Sequence, residues 1–456
     1  MPVLPFSVLN SAFRERIADP QEVSGSIFNY YKVFQHALSY ELTDTRTKLI
    51  KNRLHLPLGI QSLVYRLKRY RGTPVGTKLQ PILFMDDGRT IETENGTRVS
   101  YYLSKILHTL EKEKISILCD HNYPTGLIPD ITSDLLDVYS NVSLHKEEKR
   151  VLKELVQLLK VNKSQGWVAP EYLSSAFHVF FEEFHRYFHF FRSNATKIFF
   201  FTNHYHREGM IAAAKMNGVT TIEIQHGLIA KQDLYYVYRE DIGPVRDKAL
   251  FPDKLILFGE YWKEILLEGG EHTDESLVVA GDYSLGSAGW KQYAGVAKEN
   301  LIFIGAQKNM PDEYVSYTEG LLRILEEKHP DWKIVVKLHP YEKEPEKYAH
   351  LKKHPQCDLK GKEADLMQIL SKAKIQISVY STTFFDSLGL NVMNLSLQNY
   401  TNGADYAADM VDSGIARALD LSGDPVETYQ AHHEEGEMER PHVYGPYSAE
   451  AIRELL

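Results

Sequence analysis

Two stretches of the chain set chemistry-bearing side chains at the ends of apolar runs. Trp332 to Pro340, WKIVVKLHP, ends in Lys337, His339 and Pro340. Lys374 to Leu390, KIQISVYSTTFFDSLGL, carries Ser381, Thr382 and Thr383 where a helix should begin. Short β-branched runs of this kind predict buried strands. In an open parallel sheet, ligands bind outside the carboxyl ends of the strands. Alternation puts Lys337 and His339 on one side of their strand. Lysine brings a point charge, and histidine one or two N–H donors. Hydroxyls and unpaired N–H groups at a helix start favour an anion, most often a phosphate. Plainer readings exist: a strand-end histidine bonded to a carbonyl, and a Ser or Thr that only caps its helix. His329-Pro330 and His354-Pro355 show that the His-Pro pair recurs, but only His339 follows directly on a predicted buried strand. A cap needs one hydroxyl, which leaves two for a ligand. Lys337, His339, Pro340, Ser381, Thr382 and Thr383 are therefore the candidate nucleotide-binding residues, with Asp386 as a first-turn dipole partner or a ribose contact.

A second group has acid–base character. Thr220 to Gly227, TTIEIQHG, reads as a strand ending in Glu223, Gln225, His226 and Gly227. Glu223 and Gln225 share a face, and Gly227 permits a sharp exit. Histidine titrates near neutral pH, so His226 is a candidate general base for an acceptor hydroxyl. The carboxylates Asp86 and Asp87, at the end of PILFMDD, are candidates for the same task, against the plainer reading of an Asp-Gly turn. The candidate catalytic set is His226, Asp87, Asp86 and Glu223. His204 and Arg207, after KIFFFTNH, join Gln225 as candidate contacts to acceptor or donor. The histidines and carboxylates form no metal-ligand spacing such as HExxH, so neither metal nor cofactor is expected.

The elements that position these groups alternate. Strands are expected at Pro81 to Asp87, Lys114 to His121, Lys197 to His204 and Thr220 to Gly227. Helices are expected at Val99 to Leu110, Leu144 to Leu159, the aromatic stretch Tyr172 to Phe191, and Arg207 to Met216. A polar, Tyr-rich stretch, Leu228 to Asp253, breaks the pattern. A second set follows at Lys254 to Trp262, Ser276 to Asp282, Asn300 to Gln307, the two opening strands, and Val392 to Leu397. Strand–helix alternation predicts an α/β class with parallel sheets. The expected domains are a helical N-terminal segment (1–75), a Rossmann-like acceptor domain (76–240), a Rossmann-like nucleotide-donor domain (250–423) and a tail (424–456). Two such domains would face each other across a ligand cleft.

Bulk properties narrow the functional classes. The 456 residues are 43% hydrophobic and 25% charged, which permits a large core. A net charge of −9 argues against a nucleic-acid partner. Two cysteines cannot build a disulfide framework, and no apolar run has the ~20 residues of a membrane span. A cytoplasmic location is expected. Between Asp44 and Asp86 there is no acidic residue, while Arg46, Lys48, Lys51, Arg53, Arg66, Lys68, Arg69 and Arg71 lie beside Ile60, Leu63, Val64 and Leu67. This is either a solvated basic face or a peripheral contact with an anionic inner membrane through residues 46–71.

Taken together, these motifs resemble the two-domain GT-B glycosyltransferases of bacterial surface polysaccharides. The resemblance is to the branch holding sialyltransferases, Kdo-type capsule transferases and CDP-glycerol glycerophosphotransferases. It implies that His339-Pro340 and Ser381 to Thr383 hold the phosphate of a CMP- or CDP-linked donor. Tyr380 to Asp386 and Gln225-His226-Gly227 look like glycerophosphotransferase segments, and Asp86-Asp87-Gly88 resembles the motif that supplies the sialyltransferase base. The implied activity is metal-independent glycosyl transfer from a nucleotide-sugar donor to a glycan or lipid-linked glycan acceptor of capsule or lipopolysaccharide. A CMP-linked acidic sugar such as Kdo or a sialic-type acid is the first choice of donor. A CDP-glycerol- or CDP-ribitol-type polyol-phosphate transferase and a non-catalytic nucleotide-binding partner in polysaccharide assembly are the alternatives, and the base is left between His226 and Asp87.

Overall fold

The computed structural model describes Gln80 and most of the chain after it. Outside the described residues lie 1–79, 87–89, 93–97, 101–108, 111–114, 120–129, 133–148, most of 151–189 and 228–249, 282–290 and several shorter stretches. The helical segment expected over 1–75 and the basic residues 46–71 fall there, as do Asp87 and Pro340.

The chain divides into two compact units, one running to Tyr283 and taking in Pro446–Leu456, the other spanning Ser284–Gly445. The first contains β1 (Ile82–Asp86), β2 (Thr90–Glu92), β3 (Arg98–Ser100), β4 (Ile115–Cys119), β5 (Asp130–Thr132), β6 (Ile198–Phe201), α1 (Glu208–Met216), β7 (Thr220–Ile224), β8 (Lys254–Leu257), α2 (Glu260–Glu268) and β9 (Leu277–Val279). Seven strands form one parallel sheet in the order β5-β4-β1-β6-β7-β8-β9. Set aside the antiparallel β2–β3 hairpin, and the strands run outward from β1 in one direction, then resume at β6 in the other. That reversal is the doubly wound switch point, where ligand crevices form.

Burial on both faces explains why these strands read as continuous apolar runs rather than alternating ones. The IFFF run of β6 is wholly buried. One face gathers Ile82, Phe84, Ile198, Phe200, Ile222, Ile224 and Ile256, closed by Ile452 of the C-terminal helix Ala449–Arg453. The chain returns to this unit there, and the Ser448 N–H donates to the Ala280 carbonyl at 2.9 Å. The aromatic helix, described at residues 180, 183, 184, 187, 188 and 190–193, packs Phe191 against Phe199 with ring centroids 5.4 Å apart. It also crosses α1 closely: a Cβ on Gly209 would stand 2.3 Å from the Phe180 carbonyl oxygen.

The second unit contains β10 (Leu301–Gly305), α3 (Pro311–Lys328), β11 (Lys333–Lys337), β12 (Cys357–Lys360), α4 (Leu366–Lys372), β13 (Ile375–Ser378), α5 (Thr383–Leu388), β14 (Met393–Leu397), α6 (Ala404–Asp412), β15 (Arg417–Leu419) and α7 (Pro425–Glu435). Its parallel sheet has the order β12-β11-β10-β13-β14-β15, the classic 3-2-1-4-5-6 arrangement of dinucleotide-binding folds. Local signals start its helices. Pro311 occupies the first turn of α3, and the Asp365 carboxylate accepts the N–H groups of Met367 and Gln368 at 2.9 and 3.2 Å to cap α4. One sheet face packs on Tyr314, Leu321 and Leu325 of α3, the other on Leu370 of α4 with Ala373.

The α/β class with parallel sheets holds for both units. The expected boundary at 228–253 does not. Strands β8 and β9 pair in the first sheet, so the division falls at Tyr283–Ser284, α7 extends the second unit past 423, and residues 446–456 join the first. An apolar strand carries no mark of the sheet it will join. The helix expected over Val99 to Leu110 also begins otherwise, because Val99 pairs with Ile91 in the hairpin. The sequence Asn95-Gly96 between those strands is a strong hairpin signal that outweighs the helical spacing.

Candidate functional site

In the first unit, the ends of β6 and β7 converge on one carboxylate. Glu223 and His204 are both fully buried, with His204 Nδ1 2.5 Å from Glu223 Oε2. The Tyr236 hydroxyl donates to Glu223 Oε1 at 2.7 Å. Burial alone would raise the Glu223 pKa. The charge and hydrogen bond of His204, the Tyr236 hydrogen bond and the nearby His226 outweigh it and hold the carboxyl below its ordinary value. The His204 ring stands edge-on to Tyr236, with centroids 4.7 Å apart.

His226 is half-buried at the next step of the chain. Its Nε2 lies 2.8 Å from the Tyr205 hydroxyl, and its Nδ1 lies 3.5 Å from the Tyr236 hydroxyl. Tyr236 has one proton and gives it to Glu223, so toward His226 it can only accept. The tautomer that fits carries its proton on Nδ1 and its lone pair on Nε2. A carboxylate–tyrosine–histidine chain thus leaves the Nε2 lone pair accepting the Tyr205 hydroxyl. An incoming hydroxyl that takes the place of Tyr205 would meet a nitrogen in the state a general base needs.

Other candidates take supporting places. Gln225, expected as a ligand contact, is fully buried: its Nε2 donates to the Gly227 carbonyl and its Oε1 accepts the Phe258 N–H, both at 2.9 Å. It straps the turn that carries His226. His204 likewise serves Glu223 instead of a ligand, and Glu223 itself lies beneath His226 with both oxygens engaged. Arg207 is half-buried, with Nε 3.3 Å from Asn203 Oδ1 and its guanidinium against the Met85 sulfur, which brings it to the end of β1. Asp86 ends β1 beside the switch point. Tyr205 and Tyr236 were missed by sequence reasoning. Tyr236 falls in the polar stretch that breaks the strand–helix pattern, and tyrosine richness was its only signal.

In the second unit, β11 and β13 flank β10. Gly305, the last residue of β10, aligns with Lys337, and its carbonyl accepts the Ser378 hydroxyl at 3.0 Å. The structure therefore brings the two opening motifs to either side of one strand end. Lys337 is half-buried, and burial lowers its pKa while Glu363 pulls it back up. His339 is half-buried just beyond β11, and its carbonyl accepts the Glu342 N–H at 2.9 Å. Ser381 Oγ accepts both the N–H and the hydroxyl of Thr383, at 3.2 and 2.9 Å, while Thr382 stands exposed and makes no cap bond. Asp386 accepts a hydrogen bond from the Tyr444 hydroxyl at 3.3 Å. Sequence reasoning missed Gly305, where a Cβ would stand 3.7 Å from Thr383 Oγ1, and the buried Gln376 behind Thr383. Their signal lay in strand order, not in composition.

Among the described residues, no three His, Cys, Asp or Glu side chains gather as a metal site, and no helix is long and apolar enough to cross a membrane. The class defined by fold and site is a chain of two doubly wound α/β units, each with a polar group set at its strand ends.

No protein-family model matches the chain, and no curated protein does. Solved structures are similar at low identity. An S. aureus MnaA–UDP co-structure is 15% identical over 83% of this chain and 95% of that one, with a TM-score of 0.45. A UDP-GlcNAc 2-epimerase from Methanocaldococcus jannaschii, in complex with UDP-GlcNAc and UDP, is 14% identical over 83% and 99%, with a TM-score of 0.43. A glycosyltransferase from Rickettsia africae is 11% identical over 83% and 97%, with a TM-score of 0.37.

Proposed function

We propose that this chain is a glycosyltransferase that uses a nucleotide-sugar donor. The observation that carries the reading is that β11, ending in Lys337 and followed by His339, and β13, followed by Ser381 and Thr382, flank β10 beside the switch point of a 3-2-1-4-5-6 sheet. These residues offer a half-buried ammonium, an imidazole and two hydroxyls to one anion. Held there, a nucleotide phosphate is stabilised as a leaving group by positioning and charge. The first unit has the acceptor role: the attacking hydroxyl takes the place of Tyr205 at His226 Nε2, which removes its proton, with Tyr236 and Glu223 fixing the tautomer. Asp86 and Asp87 remain the other candidates for that base. The motif resemblance favours a CMP-linked acidic sugar as donor and a surface glycan of capsule or lipopolysaccharide as acceptor, with the basic segment 46–71 contacting the inner membrane.

The test is a thermal-shift screen of the full chain with CMP, CDP, UDP and GDP. A ligand that binds only the folded state raises its stability by mass action, by about 2.7 kcal/mol at a hundred times its Kd. A shift with CMP above the others supports the CMP-linked donor, and a dominant shift with UDP replaces it with a UDP-linked one. No shift with any nucleotide refutes the donor site.

A further inference from the structure

Two amides lie side by side beneath α5, and they are used differently. Gln376 and Asn394 are register neighbours on β13 and β14, and both are buried. Asn394 is fully engaged: its Oδ1 accepts the Ser387 hydroxyl at 2.5 Å, and its Nδ2 donates to the Phe384 and Ile415 carbonyls at 2.7 and 3.0 Å. It clips α5 to the sheet. Gln376 is completely buried, yet its Oε1 has no hydrogen-bond partner, and its Nε2 donates to Thr383 Oγ1. An orphaned buried carbonyl is costly, and in a native structure it calls for an explanation.

The explanation is directional. Gln376 Nε2–H gives to Thr383 Oγ1, and the Thr383 hydroxyl gives to Ser381 Oγ. Ser381 Oγ also accepts the Thr383 N–H. A hydroxyl has two acceptor lone pairs and one proton. With both lone pairs of Ser381 occupied, its proton is the part left to point outward. The geometry points to Gln376 as a positioning residue that sets the sense of this hydroxyl chain, so that Ser381 presents a donor to an anionic phosphate oxygen. Were the amide reversed, Thr383 would give its proton to Gln376 and release Ser381 to turn its own proton inward. The inference rests on the phosphate-site reading above and adds what makes Ser381 a donor.

The experiment compares nucleotide and nucleoside binding in Gln376→Met, Gln376→Glu, Thr383→Val and Ser381→Ala, by calorimetric titration of the full chain. The probes are the nucleoside monophosphate of the base that stabilises the wild type and its nucleoside, such as CMP and cytidine. All four variants should weaken the monophosphate, about 3- to 10-fold for each lost hydrogen bond, and leave the nucleoside unchanged. Gln376→Glu should be the weakest, since a carboxylate accepts the Thr383 proton and adds a like charge near the phosphate. Gln376→Met should not lower the melting temperature, because it removes the orphaned carbonyl. Thr383→Val tests the chain independently if the Gln376 variants fold poorly. If Ser381→Ala weakens the monophosphate but the Gln376 and Thr383 variants do not, the inference is wrong and the phosphate site stands. If nucleotide and nucleoside weaken equally, Gln376 is a structural residue and the inference is again overturned. If the wild type binds no nucleotide, or Ser381→Ala has no effect, both readings fall.

Discussion

Glu223→Gln isolates the buried charge in the first unit. The substitution keeps size and an acceptor for Tyr236 but removes the anion that lies 2.5 Å from His204, where both side chains have 0% exposure. Removing one partner of a buried ion pair costs ~3–5 kcal/mol. Glutamine retains the tyrosine hydrogen bond and gives the imidazole a neutral partner, which puts the loss at the lower end, about 3 kcal/mol. At ~2–4 °C per kcal/mol for a domain of ~150–250 residues, the melting temperature should fall by roughly 6–12 °C at neutral pH. The pH dependence is the sharper test. The folded carboxyl of Glu223 is held below its ordinary value because His204 and Tyr236 outweigh the effect of burial. Its ionisation therefore contributes stability in full above the ordinary carboxylate value of about 4.3, and that contribution is lost as pH falls through the lower folded value. The glutamine variant has nothing there to lose. As pH falls through the carboxylate range the gap between the two melting curves should narrow, because Glu223 takes up its proton in the wild type and the variant has no such group to titrate. A gap that is absent at neutral pH, or unchanged to the lowest pH at which the wild type still folds, would refute the buried anion.

Two further substitutions probe the scaffolds. Gly209→Ala should destabilise the first unit by about 1–3 kcal/mol, read as a lower urea midpoint, because the new Cβ meets the Phe180 carbonyl at 2.3 Å and the Phe184 nitrogen at 2.9 Å, and neither backbone atom can rotate away. Asn394→Ala should cost about 3 kcal/mol, at ~1 kcal/mol for each hydrogen bond, since it removes three of them and takes the amide from the Ile415 carbonyl, while the Ser387 hydroxyl and the Phe384 carbonyl keep each other at 2.7 Å. The accompanying loss of nucleotide affinity should then extend to the nucleoside, in contrast with Gln376→Met.

What the sequence could reveal was local. KIVVK and KIQIS declare themselves as buried strands because both faces are covered, and the residues that follow them declare themselves polar. Which strands are neighbours is not written in any one of them. That Lys337 and Ser378 flank the same glycine follows from parallel pairing across a long crossover from β12 to β13. The same blindness put β8 and β9 in the wrong unit and left Tyr236 out of the candidate site, although its hydroxyl completes the bonding of a carboxylate 13 residues earlier in the chain. Buried glutamines are the hardest case. Gln225, Gln376 and their surroundings look alike on paper, and only hydrogen-bond accounting separates the strap from the proton-directing group.

The two units use one topology in opposite ways, and the difference bears on role. At the end of β7 the polar groups are turned inward: Glu223, His204 and Gln225 are sealed from solvent, and their oxygens and N–H groups are satisfied within the unit. Such a closed network rigidifies one orientation, and what it orients is a half-exposed imidazole. Around β10 the arrangement is open: Thr382 is exposed, Ser381 and His339 are half-buried, and one buried amide is left incompletely bonded behind them. Hydroxyls held in a fixed sense but short of a partner are what a site needs when the missing partner arrives with the ligand. A rigid histidine suits a proton acceptor, whose angle and tautomer must be right before reaction. A preorganised set of donors suits an anion that must be bound and then released as a leaving group. The proposed division, with proton removal in the first unit and phosphate binding in the second, is the one that these two hydrogen-bond patterns favour.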